Sequence, residues 1–140
     1  MNSKWQRVFE DLSLDKKALD EARAFSLAAA QLAVERHCSD VIIIDLKGHS
    51  PLTDFFVVAT GTSDRQMRTV CDEISAKGRE MDFKRFGRAG YEQARWILLD
   101  FVSVLVHIFD DESREFYDLE TLWADVEVTL MAEQDDQGAA

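Results

Sequence analysis

The sequence has little of what marks a secreted, membrane-spanning or metal-binding protein. It holds 2 cysteines, 1 proline and 3 histidines in 140 residues, and no apolar run approaches the ~20 residues that cross a bilayer. Cys38 and Cys71 form no CxxC pair, so we expect free thiols in a reducing cytoplasm. No histidine has a second ligand at metal spacing. The N-terminus lacks the apolar segment of a signal peptide, which favours a cytoplasmic protein.

Negative charge is abundant, and it is unevenly placed. The net charge is −11, and residues 110 to 140 contribute −10 of it through eleven acidic residues and one basic residue, Arg114. Such a surface repels phosphate and anionic lipid, so neither membrane binding nor direct sequence-specific nucleic-acid binding is expected. A basic protein surface would be attracted. The alternative is that the acidic run only keeps the chain in solution.

The periodicity of the apolar residues predicts one α/β domain with a mixed β-sheet flanked by helices. Apolar residues spaced by three and four indicate helices, and continuous β-branched runs indicate buried strands. The expected order is helix 16–36, strands 41–45 and 54–61, a helix capped by Ser63, a short edge strand within 84–94, a hairpin at 96–109, and a final helix after Asp118. We divide the chain into an N-terminal arm (1–15), the α/β domain (16–124) and an acidic helix end and tail (125–140).

The stretch WILLDFVSVLVHIF, residues 96–109, predicts a strand pair whose two faces differ in chemistry. If Val102 and Ser103 form the turn, one face is wholly apolar and consists of Ile97, Leu99, Phe101, Val104, Val106 and Ile108. The other face pairs Trp96 with Phe109, Leu98 with His107, and Asp100 with Leu105. Aromatic residues mixed with a few polar groups are typical of a protein–protein contact. The alternative is that the C-terminal segment folds over this face.

The loop ATGTSDRQ, residues 59–66, joins a strand to a helix N-terminus, which is a generic anion site. A nucleotidyltransferase begins similarly, but it needs two carboxylates alternating on a following strand to hold metal ions. The next acids here, Asp72 and Glu73, are adjacent in a helix and face different directions. We therefore expect no enzyme, no catalytic residues, no cofactor and no metal ion. A nucleotide-binding protein that uses the Gly61–Ser63 loop is the alternative.

Three linked motifs resemble the ribosome silencing factor family, also called Iojap-related. They are DFFVVATGTSDRQ at 54–66, WILLDFVSVLVHIF at 96–109 and REFYDLETLW at 114–123. The resemblance covers about residues 20–124 and implies a nucleotidyltransferase-like shape without the catalytic residues. It also implies a bacterial cytoplasmic protein that binds the large ribosomal subunit through its fourteenth protein, which is basic. Binding there would block joining of the small subunit and repress translation when nutrients fall.

The resemblance leaves two points of function open. One is whether the protein silences ribosomes or assists their assembly without silencing. The other is whether it forms a homodimer when it is off the ribosome.

The hairpin faces and the resemblance together suggest which residues meet the partner. The expected apolar anchors are Trp96, Leu98, Leu105 and Phe109. The carboxylates expected to face basic side chains are Asp100, Glu115, Asp118 and Glu120, and the residues expected at the same patch are His107, Tyr117 and Trp123. The sequence departs from the family pattern at Val102-Ser103 for Gly-Asp, at Ala89-Gly90 for Glu-Gly, and at Asp54-Phe55 for Asp-Tyr. Valine is a poor turn residue, and the missing acid at 103 is expected to weaken contact with a basic partner.

Overall fold

Six strands join into one mixed β-sheet in the computed structural model, which describes residues 3–123 and 127–131. The elements are α1 (Ser3–Glu35), β1 (Ser39–Asp45), β2 (Phe55–Thr60), α2 (Asp64–Glu80), β3 (Gly87–Ala89), β4 (Trp96–Asp100), β5 (Val104–Phe109), α3 (Asp111–Tyr117), α4 (Leu119–Leu122) and β6 (Glu127–Leu130). The strand order is β3-β4-β5-β2-β1-β6. β2 and β5 run parallel, and the other neighbouring pairs run antiparallel. The predicted mixed α/β fold is confirmed.

The helices α1 and α2 cover one face of the sheet, and the main core lies between them and the strands. The wholly apolar face predicted for the hairpin points into this core, since each of its members is at most 3% exposed: Ile97, Leu99, Phe101, Val104, Val106 and Ile108. Phe25 of α1 stacks on Phe83 with the ring centroids 5.0 Å apart and meets Phe101 edge-on at 4.7 Å. Burial of each large apolar side chain stabilises the fold by ~1.5–3 kcal/mol.

The hairpin register and the start of α2 agree with the sequence. The β4–β5 pairing joins Trp96 to Phe109 and Asp100 to Leu105, as predicted. Ser63 caps α2, and its Oγ accepts a hydrogen bond from the backbone N–H of Gln66 at 3.1 Å.

Both cysteines are free and buried in the core. Burial raises the pKa of Cys38 to about 11 and the pKa of Cys71 to about 12. The two thiols are therefore protonated and unreactive at neutral pH.

Two predicted elements differ from the structure. Helix α1 begins at Ser3 rather than at residue 16, so residues 3–15 continue the helix instead of forming a separate arm. A final helix does begin after Asp118, but the prediction that it continues beyond residue 125 is wrong, because α4 lasts four residues and β6 then pairs antiparallel with β1. The β-branched pair Val128-Thr129 favours a strand where β1 offers an unpaired edge. The rest of the predicted tail, 125–126 and 132–140, lies outside the described residues.

Candidate partner-binding site

The sheet face opposite α1 and α2 carries the mixed chemistry seen in the sequence, and we call it the second face. Residues that pair directly across strands share a face. The register places three rows there: Asp100, Leu105, Phe56 and Ile44; Leu98, His107, Val58 and Ile42; and Trp96, Phe109 and Thr60. The second face therefore extends the predicted hairpin surface across β2 and β1.

The C-terminal helices cover part of the second face. The Tyr117 ring lies 4.6 Å from the Trp96 ring, and the Trp123 ring meets Phe56 edge-on at 5.9 Å. A second, smaller core forms beneath them, and its members are at most 4% exposed: Ile42, Ile44, Leu46, Val58 and Phe109. The alternative weighed from the sequence, cover by the C-terminal segment, is correct for this half.

The other half of the second face, on β4 and β5, stays accessible. Leu98, Asp100 and Leu105 are each half-buried there. Two exposed aromatic side chains of α3 adjoin it, because Tyr117 (48% exposed) contacts the Trp96 ring and Phe116 (78% exposed) contacts the Tyr117 ring. We call Leu98, Leu105, Phe116 and Tyr117 the apolar patch. Neighbouring exposed apolar residues of this kind mark binding surfaces, whereas isolated ones do not.

Phe116 was missed from the sequence. No helix was predicted between the hairpin and Asp118, so no helical face was assigned to residue 116. The adjacent aromatic pair Phe116-Tyr117 was the available signal.

His107 and Phe109 lie beneath the surface and support Trp96. They are 4% and 1% exposed. The Trp96 indole Nε1 donates to His107 Nδ1 at 3.1 Å, and the Trp96 ring stacks on Phe109 at 5.1 Å. Since Nδ1 accepts, the neutral imidazole carries its proton on Nε2. Burial lowers the pKa of His107 to about 4, so the ring is uncharged at neutral pH. His107 and Phe109 were predicted to lie at the partner-binding surface, but they lie buried beneath it.

The carboxylates expected to meet a basic partner fall into two groups. Glu115 and Asp118 are exposed on the C-terminal helices. Glu120 is engaged within the protein, because its Oε1 lies 2.7 Å from Nε of Arg114. One oxygen of Asp100 accepts a hydrogen bond from the backbone N–H of Val102 in the hairpin turn at 2.8 Å. Glu115 and Asp118 are therefore the carboxylates best placed to attract a cationic surface.

Arg114 fastens the C-terminal helices to the sheet, and its role was missed from the sequence. Its side chain is 12% exposed. Besides the pair with Glu120, Nη1 donates to Thr60 Oγ1 at 3.0 Å and Nη2 donates to the Asp40 carbonyl at 2.8 Å. A planar guanidinium suits such a three-partner arrangement. The available signal was the isolation of Arg114 among eleven acidic residues.

In the Gly61–Ser63 loop, the backbone N–H groups of Gly61 and Thr62 are already used in hydrogen bonds within the protein. The N–H of Gly61 donates to the Phe109 carbonyl at 2.7 Å, and the N–H of Thr62 donates to Oε1 of Gln66 at 2.8 Å. The cavity beside the loop is lined by four carboxylates, Asp64, Asp110, Asp111 and Glu112. Negative charge at this position repels a triphosphate, which argues against the nucleotidyltransferase alternative.

Residues 3–123 and 127–131 contain neither a metal-binding cluster nor a membrane-spanning helix. No group of three or more His, Cys, Asp or Glu side chains there is arranged to hold a metal ion. No helix within that part of the chain is long and apolar enough to cross a membrane.

The fold and the second face define a class of protein: a small mixed α/β domain with one sheet face sealed by helices and the other partly accessible. Residues 19–140 match the family model described as "Ribosomal silencing factor during starvation". The chain belongs to the ribosomal silencing factor family, and the resemblance noted from its motifs is confirmed.

Relatives from bacteria and plants agree. The chain is 36% identical over 99 residues to the ribosomal silencing factor RsfS of Halalkalibacterium halodurans, covering 68% of this chain and 85% of that protein. It is 37% identical over 86 residues to RsfS of Haemophilus influenzae, covering 61% and 84%. It is 32% identical over 106 residues to the chloroplastic protein Iojap of Zea mays, covering 74% of this chain and 45% of that longer protein.

Solved structures share the fold. A protein from Chromobacterium violaceum superposes with a TM-score of 0.68 at 28% identity, covering 76% of this chain and 86% of that one. A protein from Bacillus halodurans superposes with a TM-score of 0.62 at 32% identity, covering 74% and 94%.

Proposed function

We propose that this chain silences ribosomes by binding the large subunit through its fourteenth protein, so that the small subunit cannot join. Family membership supports the ribosome as target. The observation that carries the choice of surface is the apolar patch on the half of the second face that the C-terminal helices leave accessible. Under this proposal the protein makes and breaks no covalent bond, and it acts by occupying the subunit interface.

Charge and apolar contact have separate tasks in this proposal. Glu115 and Asp118 border the patch and attract a basic surface from a distance, which speeds encounter. The attraction is screened over ~8 Å at physiological salt. Leu98, Leu105 and Phe116 act only at contact distance, and such contacts chiefly set how long a complex lasts. Trp96 supports the patch from its half-buried place beside Tyr117.

Sedimentation with purified subunits tests the proposal. The protein should co-sediment with large subunits and not with small ones. A joining assay should then show fewer joined ribosomes as the protein is added. Equal binding to both subunits would remove the proposed partner. Specific binding without inhibition of joining would favour a role in assembly instead.

A further inference from the structure

The end of the sheet farthest from β6 is basic, although the chain as a whole is acidic. Residues 84–95 hold four basic residues and one acid, Glu92, for a net charge of +3. They contain the edge strand β3 and its connections. β3 and β6 lie at opposite ends of the six-strand order, which separates them by roughly 24 Å at ~4.8 Å per strand spacing. The segment that forms this edge is therefore opposite in charge to the chain as a whole.

The basic side chains at this end lie at the surface and have few carboxylate partners. Lys84 and Arg95 are exposed and form no ion pair with other residues in the described ranges. Arg85 is held by a neutral partner, since its Nη1 donates to Ser75 Oγ at 3.2 Å. The guanidinium of Arg88 lies 3.7 Å from the centroid of the Tyr91 ring and makes a looser pair with Asp72 at 3.8 Å.

One aromatic side chain, that of Phe86, is exposed to solvent among these basic residues. Phe86 is 79% exposed and directly follows Lys84 and Arg85 in the chain. The backbone N–H of Phe86 donates to the Asp100 carbonyl at 2.7 Å, so its position is fixed by the sheet. Exposing a phenylalanine this fully gains nothing for the fold, because its ring stays in water.

We propose that this basic edge, formed by Lys84, Arg85, Phe86, Arg88 and Arg95, binds the phosphate backbone of ribosomal RNA and that Phe86 stacks on an unpaired base. Cationic side chains that track phosphates and an aromatic ring that stacks on a base are the two groups that bind single-stranded RNA without reading its sequence. An acidic protein surface would satisfy the same charges and is the alternative that the cross-linking test below separates from RNA.

The basic edge adjoins the accessible half of the second face. β3 pairs with β4, so the basic edge borders this half of the sheet. Arg88 lies opposite Leu99 and pairs with Asp72 of α2, so its side chain is on the helix-covered side of the edge and not on the second face. A partner that reaches around the edge strand would therefore meet both regions. This proposal rests on the proposed binding to the large subunit, and it adds a second contact of different chemistry.

Binding measured on two targets tests the proposal. Lys84→Gln and Phe86→Ala should each weaken binding to intact large subunits by about fivefold or more, and should leave binding to the isolated fourteenth ribosomal protein unchanged. Lys84→Gln should also reduce the slope of log affinity against log salt by roughly 0.7–0.9 for one lost phosphate contact. The matched controls are Lys47→Gln and Leu52→Ala, which alter an exposed lysine and an exposed leucine of the β1–β2 connection.

A photoreactive phenylalanine analogue at position 86 gives a direct readout. It should cross-link to ribosomal RNA in the complex. Cross-linking to a ribosomal protein, or equal losses on the isolated protein, would overturn the RNA contact, as would unchanged subunit binding by both variants. Failure of the wild type to bind the isolated protein, with subunit binding still dependent on Lys84 and Phe86, would support the RNA contact and reject the proposed protein partner. Absence of any subunit binding would overturn both.

Discussion

The two faces of the sheet are built from the same strands and are covered in different ways. Two long helices cover one face, and the hairpin residues on that face are at most 3% exposed. Two short helices and one arginine cover part of the other face, where Leu98 and Leu105 remain half-buried. Alternation along a strand thus lets one segment contribute to the core on one side and to the proposed binding surface on the other.

The largest expected effect is a difference in stability between substitutions of two neighbouring residues on β4, Ile97 and Leu98. Ile97→Ala removes a fully buried side chain and should lower the free energy of unfolding by ~2–5 kcal/mol. Leu98→Ala should cost far less stability, because Leu98 is half-exposed on the second face. Chemical denaturation of the two variants measures the difference. Equal losses would mean that the second face is sealed in solution.

Acid should destabilise the second face through His107. Because burial lowers the folded-state pKa of His107 to about 4 from 6.5, the unfolded chain takes up the proton first. Stability should therefore fall by about 3 kcal/mol as pH drops from about 6.5 to about 4. The measurement is the difference between wild type and His107→Asn, whose amide oxygen can still accept from Trp96. Parallel stability curves for the two proteins over this range would contradict the buried neutral imidazole.

Loss of Arg114 should loosen the cover of the second face. Arg114→Ala removes bonds to Thr60, Asp40 and Glu120, and it should cost about 2 kcal/mol. Hydrogen exchange should speed up first in α3 and at the start of β1, where the Asp40 carbonyl accepts from Arg114. The control is Arg36→Ala, which breaks an exposed pair with Glu73 and should matter much less. Similar effects of both variants would mean that Arg114 is an ordinary surface residue.

The smallest expected effect is a gain in stability from a substitution in the hairpin turn. Val102 has a φ of +70°, and the Ser103 N–H donates to the Phe101 carbonyl at 2.9 Å, which forms a tight three-residue turn. A β-branched residue is strained at this φ and glycine is not. Val102→Gly should raise stability by about 1 kcal/mol, read as a higher melting temperature. Ser103→Gly, at a position without positive φ, should give no such gain.

Local patterns in the sequence were enough to predict the sealed face. The β4–β5 register followed from strict alternation around the turn, and the stripe of α2 followed from spacings of three and four. Cys71 lies on that stripe and is buried in the core, as a free cysteine at such a position usually is.

The segments that cover the second face are held by contacts between residues distant in the sequence. Local sequence patterns could not predict these contacts. The β-branched pair Val128-Thr129 is compatible with a strand, but β6 forms because it pairs with the free edge of β1, whose residues lie more than eighty positions earlier in the chain. The burial of His107 follows from Trp96 beside it and Phe56 across the neighbouring strand. The hydrogen bonds of Arg114 reach Asp40 and Thr60, more than fifty residues away.

Binding of large ribosomal subunits by Leu105→Asp tests the central claim most directly. Leu105 is half-exposed on the second face, so a carboxylate there should be tolerated by the fold while it removes an apolar contact at the proposed interface. Leu52→Asp introduces the same change at a leucine that is 84% exposed in the β1–β2 connection. Leu105→Asp should weaken subunit binding by about tenfold or more, with faster dissociation, and Leu52→Asp should bind as the wild type does. Wild-type binding by a folded Leu105→Asp variant would contradict the assignment of the second face as the partner-binding surface.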